Sequence, residues 1–151
     1  MRQRTQSSEQ PTSPFIIENI KNGYCTILFF DDVVEIDEID EIDEQGQAIT
    51  IYDYELYVME KVPYRDTLSD TILNDLTNWL NIAKYQDKEN VAYEVRKKRD
   101  SLLSKTDWTQ MKDTALSQEK QQKYATYRQA LRDIPQQEGF PYDVEFPVLE
   151  E

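Results

Sequence analysis

The chain has 151 residues, thirty acidic side chains against seventeen basic ones, a net charge of −13 and no histidine. That length holds one ordinary core or two small ones. The missing histidine removes the usual near-neutral general base, the Ser-His and Cys-His nucleophile pairs and His-bound metals, while the charge opposes nucleic acid and acidic membrane surfaces.

Residues 1–14 carry no large apolar side chain after Met1 and are rich in Gln, Ser, Thr and Pro. This composition buries too little surface to offset its ordering entropy, and it predicts a flexible N-terminal arm. No apolar stretch approaches the roughly 20 residues that cross a bilayer, and the start lacks the apolar segment of a signal peptide, so a soluble intracellular protein is expected.

Residues 15–64 read as an antiparallel β module. In "YCTILFF", Tyr24, Thr26, Leu28 and Phe30 alternate with Cys25, Ile27 and Phe29, and "KNG" supplies the turn before them. Cys25, the single cysteine, can form no internal disulfide and reads as a small buried hydrophobe. "AITIYDYELYVM" alternates as well, with Tyr52, Tyr54, Leu56 and Val58 opposite Ile49, Ile51, Asp53, Glu55, Tyr57 and Met59.

Between these runs lies "VEIDEIDEIDEQG", in which Glu-Ile-Asp repeats three times. A period of three fits neither helix nor strand, so Val34 and Ile36 are expected to finish a strand and Glu38 to Asp43 to follow a solvated edge or loop. Read as a calcium loop with Gly46 at its obligatory glycine, the stretch puts Tyr52 where the bidentate glutamate belongs. No metal site is expected.

After Tyr64 the period becomes helical. Leu68, Ile72, Leu76, Trp79, Leu80 and Ala83 share one face of a helix of about four turns, with Asp66 or Thr67 as N-cap and residues 65–88 forming this helix and a linker. A second helix is expected over residues 89–104, its polar face made by "RKKRD" at residues 96–100. "TDWTQ" reads as a loop anchored by Trp108. The last helix starts at Ser117 as N-cap, runs through Tyr124, Tyr127 and Leu131, and stops before Pro135. The tail "EGFPYDVEFPVLEE" holds one glycine and two prolines and is expected to lie extended over the helices. Leu103, Tyr127 and Leu131 are the expected core of this part. Charge splits the chain similarly: residues 23–59 contain no Lys or Arg, whereas residues 96–132 contain ten against four acids.

"RDSLLSKTDWTQ", "LSQEKQQKYATYRQALRDIP" and "GFPYDVEFP" together resemble the phage tail assembly chaperone family, in its order and spacing, over about residues 96–147. Tyr124 and Phe146 stand where the familiar pattern has tryptophan, and both keep an aromatic ring. The resemblance implies a viral protein tied to building a tail or tail fibre, with residues 89–151 as a helical chaperone-like domain. It also implies action in the host cytoplasm during assembly, with retention in the virion tail as the alternative.

The fold class expected is therefore α+β: an N-terminal antiparallel β module followed by a small helical domain with an extended C-terminal tail. Candidate partner-binding residues are Trp108, Tyr124, Arg128, Arg132, Phe140, Tyr142 and Phe146. For each there is a plain structural role: Trp108 packing across its flanking helices, Tyr124 in a core stripe, Arg128 and Arg132 pairing at the surface with Asp133 and the tail acids, and Phe140, Tyr142 and Phe146 lying on the chain's own helices. The "RKKR" run reads as a solvated helix face. No catalytic, cofactor or metal residues are expected. The partners expected are a phage tail or tail-fibre protein and other copies of the chain, with no nucleic acid, membrane or small-molecule substrate. The functional expectation is a non-enzymatic tail assembly factor; a virion adaptor fixing fibres to the tail is the alternative, and an acidic DNA mimic is disfavoured because the carboxylates cluster in one hairpin.

Overall fold

The computed structural model describes residues 3–36 and 50–149. Four strands come first, β1 (Gln3–Ser7), β2 (Phe15–Lys21), β3 (Tyr24–Ile36) and β4 (Ile51–Pro63), all antiparallel in the order β1-β4-β3-β2. Helices α1 (Leu68–Asn74), α2 (Leu76–Lys105) and α3 (Gln118–Asp133) follow, which is the α+β class read from the sequence. The chain divides into two compact units, Met1–Asp87 and Lys88–Glu151.

In the first unit, the β2-β3 hairpin closes on Asn22 and Gly23, whose φ angles of 54° and 78° give the two-residue turn that matches strand twist. Register then builds rows on one face. Phe15 sits opposite Phe29 and Phe29 opposite Tyr57; Ile17 sits opposite Ile27 and Ile27 opposite Met59. Cys25 and Val62 extend the face, and burial pushes the Cys25 thiol pKa up. Leu68 and Ile72 of α1, with Leu76, Trp79, Leu80 and Ala83 of α2, complete this apolar cluster. Ile27, Phe29 and Ile72 are wholly buried.

One end of that face turns polar. Glu55 is buried and accepts a 2.6 Å hydrogen bond from the Tyr57 hydroxyl, and Lys84 pairs with Asp31 while lying over the Tyr57 ring. On the opposite face Phe30 meets Tyr54 edge to face at 5.4 Å. Among the described residues three bulges interrupt the ladder, and each contains a residue with positive φ: Asn19 in β2, Asp32 in β3 and Lys61 in β4.

Three expectations need correction or qualification. Residues 3–7 are not a loose arm: they pair with β4 from Gln3 opposite Leu56 to Ser7 opposite Tyr52. A sheet edge is bound through backbone groups, which need no apolar side chain to recruit them. The helical break also falls elsewhere. Asp75 (φ −143°) separates α1 from α2, and α2 then runs unbroken through the expected linker, because "KYQDKEN" is polar but built largely of good helix formers without Gly or Pro. Thr67 occupies the N-cap of α1 without a side-chain cap bond; its carbonyl instead accepts from Thr71 N and Oγ1. The Glu-Ile-Asp repeat from Asp37 onward lies outside the described residues.

Candidate partner-binding surface of the C-terminal unit

The second unit buries few large side chains. Leu131 and Ile134 are fully enclosed and Ala92 and Pro141 are buried, whereas Leu103 and Tyr127 are only half-buried, less than the sequence suggested. A polar knot supplies what the apolar core lacks. Arg128 Nη1 donates to the Leu103 carbonyl (2.6 Å) and Thr106 Oγ1 (2.7 Å), and Nη2 donates to Asp107 Oδ1 (2.7 Å). Thr106 Oγ1 approaches the Leu102 and Leu103 carbonyls, and Thr109 Oγ1 donates to the Thr106 carbonyl at 2.7 Å. The last turn of α2 and the 3-10 turn Asp107–Gln110 are thus tied to the middle of α3.

Arg128 is therefore not a surface residue awaiting an acidic partner, as the sequence suggested: its side chain is 7% exposed and bound to Asp107 rather than to Asp133 or the tail. A planar fork with five donors can serve three acceptors at once, which explains arginine here. Its Nε has no hydrogen-bond partner among the described residues. Arg132 is exposed.

Ser117 caps α3 as expected, its hydroxyl accepting from Lys120 N. Trp108 stands on the 3-10 turn, 48% exposed, edge-on to the half-buried Tyr124 ring at 5.8 Å. It leans on one aromatic neighbour and leaves much of its surface open. Met111, 62% exposed, follows three residues later in the chain.

The tail returns over the helices by a sharp turn at Gly139, where Asp143 N donates to the Gly139 carbonyl at 2.8 Å. A Cβ at Gly139 would lie 2.1 Å from the Asp143 carbonyl oxygen. Gln137 then clasps the extended strand through both ends of its amide, donating to the Glu145 carbonyl and accepting from Glu145 N at 2.8 Å each. Two cations of α2 cover the tail rings: Arg96 lies 5.3 Å from the Phe140 centroid and Lys98 4.0 Å from that of Phe146. The "RKKR" face is accordingly not simply solvated, since two of its four cations hold the tail. Tyr142 is 44% exposed.

Beyond this clamp an open groove runs between α3 and the tail. Its helix side is the stripe Glu119, Lys123, Thr126, Tyr127 and Ala130, and its other side is Pro147, Val148 and Leu149. The structure thus brings Trp108 and Tyr124 together, gives Phe140 and Phe146 to the tail clamp, buries Arg128 and leaves Arg132 outside. Sequence reading missed the groove stripe, although its spacing of three and four residues was visible. It also missed Arg96 and Lys98, whose rings lie more than forty residues away. Among the described residues no helix is long and apolar enough to cross a membrane, and no group of three acidic or cysteine side chains is placed to hold a metal ion.

These features define a small helical module, stapled by one arginine, with exposed aromatic and groove surfaces. Residues 92–149 match the model of a family described as phage tail assembly chaperone protein. The match covers a little over a third of the chain, lies wholly within the second unit, and includes the Arg128 knot, the Trp108 turn, the tail clamp and the groove. It agrees with the resemblance carried by "RDSLLSKTDWTQ" and the two motifs after it. No curated protein sequence and no solved structure matches the chain.

Proposed function

We propose that the chain is a non-enzymatic assembly factor of a phage tail, which holds a tail or tail-fibre protein through its C-terminal unit until that protein is built into the particle. The observation that carries this reading is the family match over residues 92–149. Trp108 is the natural anchor, because a half-open tryptophan on a rigid turn offers large contact area at small entropic cost. The α3 groove gives a second, apolar track with a charged rim of Glu119 and Lys123. Burial of Trp108 and of groove residues would supply most of the affinity, and the surrounding charge would set encounter rate and register.

The test is co-purification with the phage's tail and fibre proteins, one at a time. Trp108→Ala is expected to keep the helical circular dichroism and weaken capture at least about tenfold, as loss of a hot-spot side chain does. Retained capture by a folded Trp108→Ala, Ala130→Glu double variant would refute this surface. Mass spectrometry of purified particles separates the two roles: an assembly factor is absent, whereas a virion adaptor is present in fixed copy number.

A further inference from the structure

β1 differs from every other strand. It holds Gln3, Arg4, Thr5, Gln6 and Ser7, so no apolar side chain anchors it; Arg4 and Gln6 are exposed, Thr5 and Ser7 half-buried. A five-residue ladder on β4 helps to seat it, and Arg4 adds charge contacts: its Nε donates to Asp53 Oδ2 at 2.7 Å, and Asp32 lies 3.8 Å from its Nη1. The seat is incompletely satisfied, because Asp53 Oδ1 is buried without a hydrogen-bond partner among the described residues.

Topology makes this strand detachable. β1 and β2 are consecutive in the chain yet occupy opposite edges of the sheet, three strand spacings or about 14 Å apart. Residues 8–14, "SEQPTSP", cross that gap, and seven extended residues reach at most about 24 Å. Hydrogen bonds within this connection are local, Glu9 N to Ser7 Oγ and Phe15 N to Ser13 Oγ, while the Pro14 carbonyl accepts from Phe30 N and pins only its far end. Pro11 and Pro14 stiffen the connection toward extended conformations, which favour reaching outward over folding back.

We propose that residues 3–7 are an exchangeable arm: where copies of this chain lie side by side, β1 leaves its own β4 and adds to β4 of a second copy, Arg4 entering the same Asp53 and Asp32 pair. A second copy is the occupant because it alone presents the identical β4 edge with the same Asp53 and Asp32 seat for Arg4. The first unit carries eighteen acidic and six basic residues, so two such units repel when free and meet only where they are crowded together. Exchange re-forms every contact of the closed state, so the balance rests on concentration. A tethered arm competes at an effective concentration on the order of millimolar. Dilute chains therefore keep the arm closed, and chains crowded on an assembling structure exchange it.

Cysteines at Ser7 and Tyr52, which face each other in register, test this in full-length Cys25→Ala protein. One chain carries Ser7→Cys alone and the other Tyr52→Cys alone; the two are mixed, oxidised and run on non-reducing gels. Interchain disulfide is expected to rise from under about a tenth of chains at ~10 μM to about half at ~1 mM, and Arg4→Glu should suppress it several-fold. The double-cysteine chain should close on itself when dilute. A partner with Ser13→Cys in place of Ser7→Cys should not link. Exclusively intrachain linkage of the double-cysteine chain up to ~1 mM, no linkage in any form, or equal linkage through Ser13→Cys would each overturn the proposal.

Discussion

The two units solve the same problem of stability by different means. The first stacks cross-strand rows, Phe15, Phe29 and Tyr57 beside Ile17, Ile27 and Met59, against a helical stripe, and its charged groups lie at one end of that core. In the second, a single arginine in the middle of α3 fixes the last turn of α2 and the 3-10 turn after it, and two cations cover aromatic rings of the tail, around few buried aliphatic side chains. A unit held by directional bonds keeps its geometry while leaving aromatic area outside, as at Trp108. A unit held by apolar rows encloses the rings that build them, Phe15, Phe29 and Tyr57, and keeps its stability inside.

Truncation experiments can break this contrast. The largest effect is expected at Phe29, fully buried at the centre of its row: Phe29→Ala should cost about 3–5 kcal/mol through lost transfer energy and a cavity. A loss near 1 kcal/mol in chemical denaturation would mean that the rows are not the main support of the sheet. Arg128→Met, which keeps an unbranched apolar stem but removes the donors, should cost on the order of 3 kcal/mol, since it removes the charged hydrogen bonds that tie α3 to the Leu103 carbonyl, the Thr106 hydroxyl and Asp107. Arg128→Lys should recover little, because one ammonium cannot reach three acceptors in a fork. Full recovery by lysine would show that charge alone is needed, and the contrast between packing and directional bonding would weaken. Ser117→Ala sharpens the picture at the small end: loss of one cap bond should cost about 1 kcal/mol, read as a fall in melting temperature with unchanged helix content in the rest of the chain.

How much of this was legible in the sequence follows from the same contrast. Alternation in "YCTILFF" and "IYDYELYVM" reports on packing along one strand, so the β module and the turn at "KNG" could be read directly, whereas the choice of core face could not, because both faces carry apolar side chains. Ser117 was legible because capping is a bond between near neighbours. Arg128 was not, since its acceptors lie 21 to 25 residues away and a charged residue on an exposed-looking helix gives no sign of burial. β1 escaped notice because pairing through the backbone leaves no side-chain signature. The break at Asp75 was obscured by an apolar spacing that continues from Ile72 through Leu76 and Trp79 across the interruption. At the candidate site the aromatic residues are visible in the sequence, but how Phe140 and Phe146 are covered depended on Arg96 and Lys98, whose long side chains reach rings far along the chain.

Gly139 carries a consequence for how this protein can change over generations. The cation–ring contacts, the Gln137 clasp and the groove rim are graded: each tolerates a weaker substitute and loses affinity or order by degrees. At Gly139 the neighbouring oxygen leaves room for a hydrogen and nothing larger, so every replacement meets the same obstruction regardless of its chemistry. Sequence drift can alter the exposed rings and the groove rim of the C-terminal unit residue by residue, while the path of the tail that frames them stays fixed by one position that admits no variation.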